Sequence, residues 1–506
     1  MNNINNTIKT IKMDNLDDEF GSSWDIPIEQ PKQVEPKQVE PKQIEIKQPI
    51  HTEPTILSPL EQLIKERSIN DNSLDEQLNL STDDYEAKII KLCKKGEEII
   101  NEYKERGIKV QGIEPSMIMT SWEDCKYLNA NPNTQFLNSL IKSTIEFGYD
   151  TPRPIQCITS GRIAMKGDII VQAVAGNGKT AAFVFGSAIR VNPQEKSTQV
   201  LILSPTQLLT DQTTEVVKNL TKQTGIIVHC HRGGLYNKYD YEVPHIIVGC
   251  PGRVLDLINK GKIRVNNLKT LILDEGDDLL KQGFREQMQN IIQQLANTIQ
   301  ICLFSATLPK GILELCNKFM VNPAFVILPE DKVMTELVTQ WYVQCPTLNE
   351  KDGCIVDLII SNPSETTIIF FNSCSRLEKV SKIISECNTP IQHLCIHSKM
   401  NPADKTSSIE NFKAGHSKIL LASDIAARGL DIQNVSLVIN YDIPPSIDTY
   451  IHRIGRSGRG AKLGNSITLI MSEEDKQNIS YIINMHKIPI KQLESVNITS
   501  KQKQNI

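Results

Sequence analysis

Short apolar runs, each bounded by turn residues and separated from the next by an amphipathic segment, govern what this chain can fold into. DIIVQAV, TQVLILS, HIIVGC, LKTLILD and IQICLFSAT fall between residues 168 and 307; TTIIFFNS, KILLAS, SLVINYD and NSITLIM fall between residues 366 and 471. Continuous apolar runs of this length are strands covered on both faces, as in a parallel sheet, and parallel neighbours need helical crossovers. The chain therefore reads as α/β, with two parallel-sheet domains in tandem, and its 506 residues exceed what one core usually organises. The expected parts are a leader over 1–80, a helical flank over 81–119, domains over 120–330 and 346–495 joined by a linker over 331–345, and a tail over 496–506.

One run leads into a second constraint. In VQAVAGNGKT, residues 171–180, the strand is expected to end near Val174. The amides of Ala175, Gly176, Asn177, Gly178 and Lys179 can then curl around phosphate, because glycine tolerates the dihedrals required. Lys179 adds a point charge for the β and γ phosphates, and the Thr180 hydroxyl can ligate Mg²⁺ at the following helix N-terminus, so ATP and Mg²⁺ are the expected ligands. Ala173 stands where the GxxxxGK(S/T) pattern has its first glycine, and a plain glycine-rich turn is the alternative. LILDEGD then places Asp274 and Glu275 just past the carboxyl end of another run, the edge at which open α/β sheets bind ligands. Asp274 can hold Mg²⁺ through water, and Glu275 can orient and deprotonate an attacking water.

With these residues in view, the chain resembles the DEAD-box RNA helicases over roughly residues 120 to 495, the DEAD tetrapeptide being written DEGD here. GYDTPRPIQ, PTQLLTDQ, GG, PGR, SAT, IIFFNS, ASDIAARGLD and YIHRIGRSGR follow in the family's order. The resemblance implies two RecA-like domains. It places Tyr149 and Gln156 at the nucleotide, Gln156 reading the adenine, with Trp122 as the candidate aromatic stacked on the base and Asp431 on the ribose. It makes Arg456 and Arg459 arginine fingers that act when the domains close. Asp277, Ser305, Thr307 and His452 become a polar relay between the domains, for which loop caps are the bland alternative. RNA contacts fall on Thr206, Gly234, Gly252 and Arg253 in the first domain and on Ser423 and Gly429 in the second. Small residues and backbone amides of this kind grip phosphate and ribose without reading bases, so RNA binding is expected to be sequence-independent.

The departures from the family are specific. Gly276 replaces alanine, which is expected to loosen the site by one methyl. Gln207 and Leu208 replace the arginine and glutamate of PTRELA, Arg153 stands where serine or threonine is usual, and PADK at 402–405 replaces QxxR. Arg232, beside the glycine pair, is expected to supply the missing cation. The implied function is an ATP-dependent RNA helicase, most similar to translation initiation factor 4A-type members; an ATP-gated RNA clamp with slow turnover is the alternative.

Composition sets the remaining bounds. PKQVEPKQVEPKQIEIKQ at 31–48 repeats a proline-bearing unit with little to bury, so the leader is expected to be disordered and low in complexity; a docking tail for a protein partner is the other view of it. In STDDYEAKIIKLCKKGEEIINEYKERG, Ser81 and Asp84 suggest a cap, Gly107 a stop, and Tyr85, Ile89, Leu92, Ile99 and Tyr103 one apolar stripe packed on the core. The N-terminus lacks the apolar core of a signal peptide and no run is long enough to span a bilayer, so no membrane role and a cytoplasmic monomer are expected, the nucleus staying open. Twelve cysteines without a CxxC pair read as reduced thiols rather than disulfides or zinc ligands, and the net charge of −4 means that RNA attraction must be local.

Overall fold

The computed structural model describes residues 82–173, 176–233, 242–328, 338–387, 391–424, 435–457, 464–486 and 489–493; the expected leader and tail lie outside them. Helix α1, Thr82–Glu105, buries Tyr85, Ile89, Leu92, Ile100 and Tyr103. Ile100 takes the deeper place expected for Ile99, which packs only partly buried against the same core. At Gly107 the chain turns with φ of 76°, a left-handed value that ends the helix at little steric cost.

The first sheet contains β1 (Lys109–Gln111), β2 (Ile169–Gln172), β3 (Val200–Leu203), β4 (Val228–His231), β5 (Ile246–Gly249), β6 (Thr270–Asp274), β7 (Gln300–Ser305) and β8 (Ala324–Ile327). Its order is β1-β8-β2-β7-β6-β3-β5-β4, parallel except where β1 meets β8. The residues expected to form a separate flank thus add an edge strand to the first domain. The second sheet contains β9 (Val338–Gln344), β10 (Thr367–Phe371), β11 (Leu394–Ile396), β12 (Ile419–Ser423), β13 (Leu437–Asn440), β14 (Gly464–Ile470) and β15 (Ile490–Gln492) in the order β11-β12-β10-β13-β14-β9-β15. All its described pairings are parallel. The linker boundary needs correction here: residues 338–344 form β9, which pairs with β14 and β15 inside the second domain. Its half-exposed, mixed side chains form no apolar run.

The nine strands expected from apolar runs are β2, β3, β5, β6 and β7, then β10, β12, β13 and β14, and their described residues are almost all buried. Helices cover both faces, so each domain has two separate apolar layers. Those that matter below are α2 (Pro154–Ala164), α3 (Lys179–Ala188), α4 (Gln207–Leu220), α5 (Pro251–Asn259), α6 (Pro402–Lys413) and α7 (Ile447–Ile454). All twelve cysteines are free, and no described helix is long and apolar enough to cross a membrane.

Candidate active site and interdomain cleft

β2 ends at Gln172 and α3 starts at Lys179, so the phosphate loop spans the carboxyl edge of the sheet as the sequence suggested. Gly178 has φ of 85°, and a Cβ there would lie 2.5 Å from Nε2 of Gln156, so the position has room only for glycine. Lys179 Nζ donates to the Ala173 carbonyl at 2.6 Å, which holds its charge inside the loop. Val174 and Ala175 lie outside the described residues. Gln156 is fully buried at the start of α2: its Oε1 accepts from the Arg153 amide at 2.7 Å and its Nε2 donates to the Gly178 carbonyl at 3.1 Å. It is therefore a strut between that segment and the loop. Arg153, the unusual residue, donates from its guanidinium to the Gly176 carbonyl at 2.8 Å and places a second cation beside the loop.

The stacking role expected of Trp122 is corrected. Its ring is 2% exposed, packs 4.5 Å from Phe185 in the core and donates its Nε1–H to the Tyr149 carbonyl at 2.7 Å, so it has no free face for a base. Tyr149 keeps the more accessible ring of this corner.

At the end of β6, Asp274 is buried, and Glu275 adopts φ 52° and ψ 56°, a left-handed conformation uncommon outside glycine. Burial first, and the adjacent Glu275 second, push Asp274 up to about 7, against the pull of Lys179. Asp274 Oδ2 and Glu275 Oε2 are buried without a hydrogen-bond partner. Two orphaned carboxylate oxygens side by side near an ammonium group fit a divalent cation with its water shell. Gly276 requires another correction: a Cβ there would lie 2.7 Å from Leu303 Cγ, so β7 already fills the space of the absent methyl and the site is not loosened.

Asp277, with no exposed surface, joins the two domains. Its Oδ1 accepts from Ser305 Oγ at 2.6 Å, and its Oδ2 accepts from Thr307 Oγ1 at 2.8 Å and from His452 Nε2, on α7 of the second domain, at 2.8 Å. The four residues expected to form the relay are thus brought together. Burial alone would raise Asp277, but the charge and hydrogen bond of His452 hold it well below the usual carboxylate range; His452, which burial would lower, is raised by Asp277. Lys281 adds a second contact, with Nζ 3.1 Å from Asp278 and 3.8 Å from Asp448 of the second domain. Arg456 is buried one turn after His452 and donates to its carbonyl at 3.2 Å, while Arg459 and Asp431 lie outside the described residues. Arg453 anchors this segment, pairing with both oxygens of Asp424 at 2.6 and 2.7 Å.

Residues 153–315 match the family model described as DEAD/DEAH box helicase, and residues 350–461 match the one described as helicase conserved C-terminal domain. The chain is 36% identical over 375 residues to the ATP-dependent RNA helicase eIF4A of Candida albicans, covering 72% of this chain and 91% of that one. The chain belongs to the DEAD-box family of ATP-dependent RNA helicases. It is also 35% identical over 361 residues to the ATP-dependent RNA helicase fal1 of Schizosaccharomyces pombe, covering 70% of this chain and 91% of that one. Among solved structures, that of S. cerevisiae Dbp5 bound to RNA and ADP BeF3 superposes with a TM-score of 0.66 at 28% identity, covering 74% of this chain and 96% of that one.

On the other edge of this helicase's cleft, Thr206 caps α4 by accepting from the Leu209 amide at 3.2 Å. Gly252 is exposed in the first turn of α5, and Arg253 pairs with Asp256 at 3.0 Å. Ser423, at the end of β12, has a buried hydroxyl without a partner. Gly234 and Gly429 lie outside the described residues. Two facts in this region had no signal in the sequence. Arg232, expected to replace a missing cation, does reach α4, but its Nε is 2.5 Å from Asp211 Oδ1, so its charge is locally neutralised. Leu208 packs against the apolar layer of the second domain that contains Ile409 and Phe412 of α6, so an apolar contact bridges the domains at the altered motif.

The Arg232 pairing gives a prediction. Asp211→Asn releases the guanidinium and is expected to tighten RNA binding, steepening the salt dependence of log affinity by about 0.7, one phosphate contact on a single strand. Arg232→Ala is expected to weaken binding at low salt. Fluorescence anisotropy across a salt series checks both, and unchanged slopes in both variants would mean that Arg232 does not face RNA.

Proposed function

We propose that this helicase binds ATP with Mg²⁺ between its domains and RNA backbone across both, and that joint binding draws the domains together. Closure bends and locally separates a duplex or strips a bound protein, and hydrolysis resets the enzyme. The observation that carries this is the buried contact at Asp277. A carboxylate without exposed surface, two residues after the catalytic glutamate, obtains one of its hydrogen bonds from the opposite domain at 2.8 Å. Burying such a group without its partners is costly, so the arrangement is favourable only when the domains meet. Thr180 and Asp274 would hold Mg²⁺, which supplies charge neutralisation at the phosphates. Lys179 binds the nucleotide, Glu275 accepts the proton of the attacking water, and Arg456 and Arg459 stabilise developing charge.

Steady-state ATPase of the purified chain tests this, measured alone, with single-stranded RNA and with DNA of the same sequence, alongside separation of a short RNA duplex. RNA is expected to stimulate turnover and DNA not. ATP hydrolysis indifferent to RNA would overturn the proposal. The relatives named eIF4A support a cytoplasmic role in translation initiation, tested by whether the protein restores reporter translation in an extract depleted of its own factor of that type.

The packing of Leu208 favours the second reading, a clamp that closes and reopens slowly. Truncating a half-buried leucine at this contact forfeits about 1 kcal/mol of apolar burial. Leu208→Ala is therefore expected to raise the RNA concentration for half-maximal ATPase roughly five-fold, about 1 kcal/mol, and to speed release from RNA. A clamp shows slow wild-type release that this variant accelerates; unchanged release removes the reading.

A further inference from the structure

We propose that a groove along the free edge of the first sheet holds the RNA strand where it leaves the two-domain site, through contacts to the phosphate backbone. The inference rests on the RNA reading above and extends it to residues outside the family motifs.

β4 is the last strand of the sheet, and all four of its residues are half-buried. Side chains alternate along a strand. Cys230 lies on the α4 side, 3.7 Å from Asp211, so His229 and His231 lie on the other face, their ring centroids 6.0 Å apart. There Ile247 and, on α5, Leu257 are buried, but that helix ends at Asn259 and a groove of about 640 Å³ remains beside β4.

The charge of this groove is one-sided. Lys196, Lys262 and Arg264 line it, beside Arg253, which is paired with Asp256, and Glu242 is the one acidic side chain among its described lining residues. In a chain of net charge −4 this is a local concentration of cations. Burial first, then His229 and Arg253, push His231 down to about 4, so this ring adds no charge to the groove at neutral pH.

Position selects the occupant. His231 is two residues before Gly233 and the implied glycine-pair contact, and Arg253 with Gly252 forms a second implied RNA contact, so the groove is lined by residues of two elements of the implied RNA edge. A strand leaving that edge meets a row of cations suited to repeating phosphates, and Lys and Arg heads of this kind bind backbone without reading sequence.

The test uses the full chain with a non-hydrolysable ATP analogue and two single-stranded RNAs, one just spanning the two domains and one extended by several nucleotides at each end. The extended RNA is expected to bind more tightly, with a salt slope steeper by about 2, for contacts from Lys196, Lys262 and Arg264. A Lys262→Ala, Arg264→Ala double variant is expected to lose most of that gain while binding the short RNA as before. Equal affinity for both RNAs, or a variant that weakens both alike, would overturn the groove assignment while leaving the two-domain site intact. Displacement of only the extension by an acidic peptide that binds the groove more tightly would assign it to a protein partner instead. If neither RNA binds, the RNA reading itself fails.

Discussion

Glu275→Gln is expected to lower RNA-stimulated ATP hydrolysis by about 10²- to 10⁴-fold, the usual contribution of a positioned general base, and to leave nucleotide and RNA binding in place. The amide has the shape of the carboxylate and can keep the left-handed backbone at φ 52°, so the turn should survive. Asp274 and Lys179 remain for the metal and phosphates. With hydrolysis removed and closure intact, the enzyme is expected to accumulate as a long-lived complex with ATP and RNA. Single-turnover hydrolysis and RNA release rates measure the two effects separately. Turnover at the parent rate would remove Glu275 from the catalytic role.

His452→Ala is expected to uncouple the domains. It deletes the cross-domain partner of a fully buried aspartate, and breaking a buried pair in this way costs about 3–5 kcal/mol. Asp277 retains Ser305 and Thr307 and regains water when the cleft opens, so the lower end applies: roughly a hundred-fold less RNA-stimulated ATPase, with RNA-independent hydrolysis little changed. A double-mutant cycle with Asp277→Asn is expected to be strongly non-additive. The pair also has a pH signature. Asp277 raises His452 above its usual value and His452 holds Asp277 below its own, so the contact is fully favourable between about pH 4 and about pH 6.5 and is lost as pH rises through the elevated His452 pKa of the closed state. RNA stimulation of the wild type should therefore fall at alkaline pH more steeply than that of His452→Ala. Equal loss of basal and stimulated activity in the variant, with no difference between the pH profiles, would make the contact structural only.

The parallel α/β class, nine of the interior strands, the glycine-rich turn after β2 and the acid pair after β6 are legible in the residues alone. Each is encoded within a few consecutive residues: an apolar run has one way to be buried on both faces, and a loop that must bend around phosphate needs glycine at set positions. Motif order also singled out Asp277, Ser305, Thr307 and His452, which the fold brings together at 2.6 to 2.8 Å. Strands β1, β4, β9 and β15 were illegible, because they bear mixed or exposed side chains and are specified by the neighbours they pair with, β9 even from inside its sheet. The same held wherever a residue's role depends on what lies across a gap. Trp122 became core because Phe185 sits beside it, Gly276 is tightly packed because Leu303 fills its missing methyl, and Arg232 is neutralised because Asp211 is in reach. Leu208 bridges the domains only because α6 lies opposite. Tertiary structure decided these because burial and pairing are properties of two surfaces meeting, and one stretch of chain supplies only one of them.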